Sequence, residues 1–255
     1  MHKPLVGSSD AVDPARPDPA RLRRSYEGGD LSESALPVDP LALFAAWFTE
    51  VHDSGLPEPN AMVLATASAD GMPSVRTVLL KGYGPHGFRF FTNLTSDKAR
   101  DLAENPRGAV VFPWHALHRQ VRVAGPVVQL AREESAAYFR TRPYGSRIGA
   151  WASEHQSGVI AGRGELEARF AELSARWPEP DDASGDVSAD VPAGAEAVPL
   201  PDFWGGYRLV PAAIEFWQGR RDRLHDRIKY RRELSPQAVD DPSAAGPWET
   251  VRLSP

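Results

Sequence analysis

The sequence contains no cysteine in 255 residues. Disulfides, thiolate nucleophiles and thiolate metal sites are therefore excluded, and a reducing compartment suits the chain. The seven histidines are scattered without HxxxH-type pairing, so no metal site is expected. Long hydrophobic runs are also missing. The longest, Leu41 to Phe48, is far too short to span a bilayer. Residues 1–20 are rich in Pro, Asp and Ala and lack the apolar centre of a signal peptide, so a soluble, cytoplasmic protein is expected. No GxGxxG follows a strand and opens a helix, which leaves no indication of a Rossmann nucleotide site. Nor is there an excess of positive charge: 29 Lys and Arg against 34 Asp and Glu give a net charge of -5. That balance argues against nucleic-acid or membrane-surface binding, and any anion recognised is expected to be small.

What is present suffices for a core, since 42% of the residues are hydrophobic. Residues 1–20 read as a disordered tail. Residues 21–255 read as one domain carrying a disordered insert of Pro, Asp, Ala, Gly and Ser at about 178–199. Asp39-Pro40 is an N-cap and first-turn pair, followed by Leu41, Phe44, Ala45, Phe48 and Val51 at helical spacing. Strands are predicted over Ala61–Ala67, Ser74–Leu80, Phe88–Thr92, Ala109–Phe112 and Gln120–Val123, with a short helix from Ser96 to before Pro106. Helices follow over Glu133–Arg140 and Glu165–Trp177, the second with Leu166, Phe170, Leu173 and Trp177 on one face. Closing strands are predicted at Tyr207–Val210, Ile214–Trp217, Arg227–Tyr230 and Thr250–Leu253. Strands in succession with short turns favour an antiparallel sheet or barrel covered by helices.

Several stretches carry chemistry-bearing side chains. The run from Glu215 to Arg227 joins Trp217, Gln218 and Gly219 to four arginines and His225. If extended, it sets Arg223, His225 and Arg227 along one face, suited to a planar anion or else to plain solvation as a basic edge strand. Arg76 and Lys81 close the two ends of an apolar strand. Phe91-Thr-Asn-Leu-Thr-Ser-Asp-Lys98 runs from a strand into a helix start, where backbone N–H groups and Lys98 suit a phosphate, although most helix starts hold only water. Gln120 and Arg122 share the polar face of a strand. Tyr138, Arg142 and Ser146 recur every four residues around Pro143, a phenol, guanidinium and hydroxyl suited to a second phosphate. Two anion sites without a nucleophile–base pair or metal set suggest that a cofactor supplies the chemistry.

In order along the chain, Arg76–Lys81, Phe91-Thr-Asn, Phe112-Pro-Trp, Arg119-Gln-Val, Tyr138-Phe-x-x-Arg-Pro, Ile148-Gly-Ala-Trp, Gln156-Ser, Trp204-Gly-Gly-Tyr, Glu215-Phe-Trp-Gln-Gly, Arg223-Leu-His-Asp-Arg and Arg252-Leu-Ser-Pro resemble the pyridoxine/pyridoxamine 5′-phosphate oxidase family. The resemblance implies a mainly β fold with flanking helices: an antiparallel, Greek-key-like split β-barrel that binds FMN at the interface of a homodimer. It implies FMN contacts at Arg76, Thr77, Val78, Leu79, Leu80, Lys81, Phe91, Thr92, Lys98, Gln120, Gln156, Ser157, Trp217 and Arg227. It implies contacts to the substrate phosphate at Lys81, Tyr138, Arg142 and Ser146. Contacts to the substrate ring are implied at Arg223, Leu224 and His225, with Arg223 and His225 catalytic. Arg23 and Tyr26 match a segment that can fold over the site. The implied reaction oxidises pyridoxamine and pyridoxine 5′-phosphates to pyridoxal 5′-phosphate with O2, giving H2O2. Three departures stand out: Asp97 where the family usually has Arg, Glu154-His155 ahead of Gln156-Ser157, and the insert at 178–199. The rival readings are a phenazine-biosynthesis type of FMN oxidase, which has no need of the Tyr138, Arg142, Ser146 set, and a non-catalytic flavin or pyridoxal-phosphate binding protein.

Overall fold

Asp39 starts the first helix, α1 (Pro40–Asp53), its carboxylate accepting the Leu41 N–H at 2.9 Å. The helix buries Pro40, Phe44, Trp47 and Val51, one stripe at helical spacing. Trp47 lies on this stripe although the sequence reading passed over it. Phe44 is fully buried, with its ring 5.0 Å from Phe88 and 5.1 Å from Phe112, so α1 plugs the end of the sheet with aromatic surface. The structure, a computed structural model, describes residues 26, 29–179 and 198–255. The tail expected at 1–20 and positions 180–197 of the expected insert lie outside the described residues.

The hairpin β1 (Ala61–Ala67) and β2 (Pro73–Leu79) forms as predicted, with Met62, Leu64 and Thr66 of β1 facing inward at period two. Gly82–Gly84, read from sequence as turn, pairs as a short strand β3 with β4 (Gly87–Asn93). Next come α2 (Asp97–Glu104), β5 (Arg107–Trp114) and β6 (Arg119–Gln129). Ser96 sits at the N-cap of α2, yet its hydroxyl donates to Asn93 O instead of capping the helix. Three helices follow: α3 (Arg132–Arg140), α4 (Tyr144–Ala152) and α5 (Arg163–Arg176). The chain closes with β7 (Trp204–Leu209), β8 (Ala213–Gln218), β9 (Asp226–Arg231) and β10 (Glu249–Arg252).

Two expectations are revised. Pro143 does not simply end a helix; it opens α4, which the sequence reading missed because Gly145 and Gly149 lower helix propensity. Burial of Ile148, Ala150 and Ala152 overrides that cost. The face expected on α5 is only half used: Trp177, just beyond its end, is buried, whereas Leu166 and Phe170 are each 38% exposed. The helix packs on α4 and not across the sheet.

The strands run antiparallel in the order β10-β9-β8-β6-β5-β1-β2, while β4 pairs with β3 and β7. The long strand β6 serves two layers. Arg119 to Ala124 pairs with β8, and Val127 to Gln129 pairs with β7. This change of partner curls the sheet into a half-barrel, the split-barrel architecture expected from the resemblance. Among the described residues no helix is long and apolar enough to cross a membrane.

Gly125 sits at the change of partner, where a Cβ would lie 1.9 Å from Val210 O and 2.9 Å from Ala212 N. No side chain fits against backbone held on both sides, because Val210 N donates to Pro126 O and Ala212 N to Ala124 O. Gly125→Ala is expected to destabilise the protein by about 3 kcal/mol, read as a lower urea midpoint with the slope unchanged.

Candidate functional site

A cleft of about 720 Å³ opens along β2, between that strand, β4, the start of α2 and the α3–α4 joint. Strand β2 ends the sheet path and pairs only with β1 among the described residues, so its outer backbone edge faces the cleft. That edge offers main-chain donors and acceptors to a ligand. Thr77, Val78, Leu79 and Lys81 line it, whereas Leu80 goes into the core. The Arg76 guanidinium turns away to Thr66 Oγ1 and Ser74 Oγ, each at 2.6 Å, and to Asp101 at 3.7 Å.

Lys98, in the first turn of α2, is 8% exposed. Its ammonium donates to Thr92 Oγ1 (3.1 Å), Ser96 Oγ (3.1 Å) and Gln156 Oε1 (3.0 Å), with no carboxylate in contact. Burial, reinforced by the nearby Arg76 charge, pulls its pKa down to about 8. Ser157 Oγ accepts the Asp97 N–H at 3.3 Å, so Gln156 and Ser157 both reach the helix start despite the Glu154-His155 spacing. Asp97, the departure from the family pattern, is paired with Arg100 one turn on. That pairing offsets the negative charge placed beside Lys98.

The opposite wall is aromatic. Phe91 stacks on Tyr138 at 4.1 Å and on Trp204 at 5.4 Å, and the Arg142 guanidinium lies 4.8 Å above the Trp204 ring. Gly206 makes room for this stack, since a Cβ there would meet the Phe91 ring at 2.6 Å. Arg142 Nη1 is buried with no hydrogen-bond partner, and burial lowers the group's pKa. A desolvated cation with an unused donor at a cleft is suited to an anion. Ser146, in the first turn of α4, lines the same cleft. Trp204 carried no role in the sequence reading, although it stood in the Trp-Gly-Gly-Tyr signature. Its use as a platform depends on β7 lying beside β4, which spacing does not reveal.

The remaining expected residues form a second group. Gln120, Trp217 and Arg227 lie directly opposite one another across β6, β8 and β9. Arg227 donates to Glu215 Oε1 at 2.9 Å and to Ser254 O at 3.0 Å. The His225 ring packs 4.6 Å from Trp217, and the Tyr26 ring lies 4.5 Å from His118 and 5.8 Å from His225. Arg23 is outside the described residues. The extended conformation that would set Arg223, His225 and Arg227 along one face does not form. Arg221–Arg223 makes a tight turn, with Asp222 and Arg223 at φ 56° and 63°, and β9 begins only at Asp226. Leu224 points outward, 70% exposed. His225 Nδ1 accepts the Arg220 N–H at 3.1 Å, which leaves the proton of the neutral ring on Nε2. Burial and the Arg223 charge lower the His225 pKa, which favours the neutral ring. None of this group lines the cleft. Strands β2 and β9 are five strand positions apart in the sheet order.

Curled antiparallel strands with a cationic cleft at a free edge define a split-barrel protein. The PhzG of Burkholderia lata, crystallised with tetrahydrophenazine-1-carboxylic acid, shares this architecture, with a TM-score of 0.73 at 29% identity over 89% of this chain and 99% of that one. A family model described as pyridoxamine 5′-phosphate oxidase matches residues 48–177, and one described as the pyridoxine 5′-phosphate oxidase C-terminal dimerisation region matches residues 204–255. The pyridoxine/pyridoxamine 5′-phosphate oxidase of Thermobifida fusca is 49% identical over 93% of this chain and 98% of its own length. That of Cupriavidus pinatubonensis is 51% identical over 92% of this chain and 98% of its own. The chain is an enzyme belonging to the pyridoxine/pyridoxamine 5′-phosphate oxidase family.

The buried Lys98 charge carries a pH signature. Its folded pKa of about 8 lies below the ordinary 10.5, so the unfolded chain binds the extra proton between these values and stability rises with pH across that window. The shift amounts to about 3 kcal/mol. Ligand-free protein compared with Lys98→Met by urea unfolding is expected to gain stability on the variant between pH 8 and 10.5. At pH 7 the wild type should show its full deficit.

Proposed function

We propose that this protein is an FMN-dependent oxidase that converts pyridoxamine 5′-phosphate and pyridoxine 5′-phosphate to pyridoxal 5′-phosphate, with O2 as the electron acceptor. The amine reaction consumes O2 and water and releases ammonia and H2O2; the alcohol reaction consumes O2 and releases H2O2. The observation that carries this reading is the buried, unpartnered Arg142 Nη1 in a cleft that also holds Lys81, Tyr138 and Ser146. An arginine already desolvated and braced on Trp204 gains from a dianionic phosphate without further dehydration.

The residues present fit a flavin mononucleotide. The free β2 edge from Thr77 to Leu79 supplies backbone groups for a heterocycle, and Lys98 supplies a buried cation for a phosphate, with Gln156 and Ser157 beside it. FMN, when bound, would supply a hydride acceptor for substrate C4′ and a route for the electrons to O2. The chain's own groups need only bind and orient. Arg142, Lys81 and Ser146 hold the substrate phosphate. His225, neutral and protonated on Nε2, donates a hydrogen bond to a ring substituent, and Arg223 adds positive charge beside it. No side chain has to act as a strong base. Water hydrolyses the imine left by the amine substrate.

Separation of the cleft from the Trp217 and His225 surface supports a homodimer in which one copy supplies the cleft and the other the ring-binding surface. The match of residues 204–255 to a dimerisation region supports the same arrangement. A phenazine-type substrate, lacking a phosphate, leaves Arg142 without a partner, which disfavours that reading. A non-catalytic carrier has no use for the His225 tautomer set by Arg220.

Two variants test the assignment. Arg142→Ala should raise the KM for pyridoxamine 5′-phosphate at least tenfold, with a smaller effect on kcat. Arg223→Ala combined with His225→Ala should lower kcat while the purified protein keeps its flavin absorbance. Flavin loss from a folded double variant would show that these residues serve the cofactor instead.

A further inference from the structure

The turn presenting Arg223 and His225 is not self-supporting. Asp222 and Arg223 are consecutive non-glycine residues in the left-handed region, at φ 56° and 63°. Such conformations persist where the surroundings over-determine them. The residue that ties the surroundings to this turn is Asp226, whose side chain is 15% exposed. Its Oδ2 accepts the Leu31 N–H at 3.2 Å and stands 3.8 Å from Arg220 Nε, and its Oδ1 accepts from Arg252 Nη1 at 2.6 Å. Arg252 in turn pairs with Glu33 and donates to Leu31 O. One carboxylate thus joins the segment after Tyr26, the last strand and the base of the turn. Arg220 completes the chain of contacts, because its main-chain N–H fixes His225 Nδ1 while its guanidinium faces Asp226.

We infer that Asp226 is a positioning residue: it holds Arg220, and through Arg220 it fixes the orientation and Nε2–H tautomer of His225. The inference rests on the proposed role of Arg223 and His225 in orienting the substrate ring. Asp226 itself touches no part of the cleft. Its effect on turnover is therefore expected to pass entirely through the geometry of the turn. The charge matters as well as the shape, since two of its three partners are guanidinium groups.

Asp226→Asn keeps the size and one acceptor oxygen but removes the charge. In the flavin-loaded variant, kcat is expected to fall about tenfold while flavin content and the KM for pyridoxamine 5′-phosphate stay within about twofold. In a long-range 1H–15N spectrum assigned with His225→Gln, the wild-type His225 ring should show the single Nε2–H form, and Asp226→Asn should show a mixture of tautomers. Arg252→Gln removes one leg of the network from outside the turn and should move both readouts in the same direction by less. A single Nε2–H tautomer in both variants overturns the inference whatever their activity. A mixed tautomer in the variants, with a wild-type enzyme that does not oxidise pyridoxamine 5′-phosphate, sustains the positioning role and refutes the oxidase reading.

Discussion

The close approach of backbone to backbone at Gly125 is the constraint on which the rest of the molecule depends. Because no Cβ stands there, β6 can pair with β8 along its first half and β7 along its second. That double use brings β7 beside β4 and sets Trp204 next to Phe91. On its other half β6 carries β8, and β8 carries β9, with Trp217 and Arg227 on neighbouring strands. The two groups of functional residues are thus separated by the same event that curls the sheet. The proposed homodimer would bring the two groups to one ligand.

Electrostatics set the character of the cleft. Lys98 and Arg142 are both held away from water, and burial lowers the pKa of each. Neither is neutralised by a carboxylate within the cleft; Lys98 is satisfied only by neutral oxygens, and Arg142 keeps one donor unused. A protein that buries positive charge in this way gives up stability in the ligand-free state and recovers it on binding anions. Asp97 fits the same scheme. Its pairing with Arg100 keeps a negative side chain at the helix start, where it favours α2, while limiting its effect on Lys98. Two buried cations on one cleft suit the proposed reaction, in which cofactor and substrate each carry a phosphate.

Much of this was legible in the sequence, for identifiable reasons. The start of α1 is a local event governed by Asp39 and Pro40, and the period-two burial of β1 follows from its own side chains. Such signals need no knowledge of the rest of the fold. Helix α4 was illegible because its glycines argue against a helix and its stability comes from packing of Ile148 and Ala150. The cations at 223, 225 and 227 would share a face only in an extended chain, and a turn at 221–223 takes its place. Asp226, just past the turn, meets Leu31 and Arg252, residues far away in sequence. The motifs supplied the candidate residues, but sequence order could not show that they divide between two surfaces or that Trp204 lies beneath Arg142.

The central claim is that the cleft holds FMN and a phosphorylated pyridine amine so that the first oxidises the second. An anaerobic titration tests it most directly: the FMN-loaded protein is mixed with pyridoxamine 5′-phosphate without O2, and the flavin absorbance is followed before air is readmitted. Loss of the oxidised flavin band is expected, then its recovery in air, with pyridoxal 5′-phosphate formed in proportion. Flavin that stays bound and oxidised through saturating pyridoxamine 5′-phosphate would contradict it.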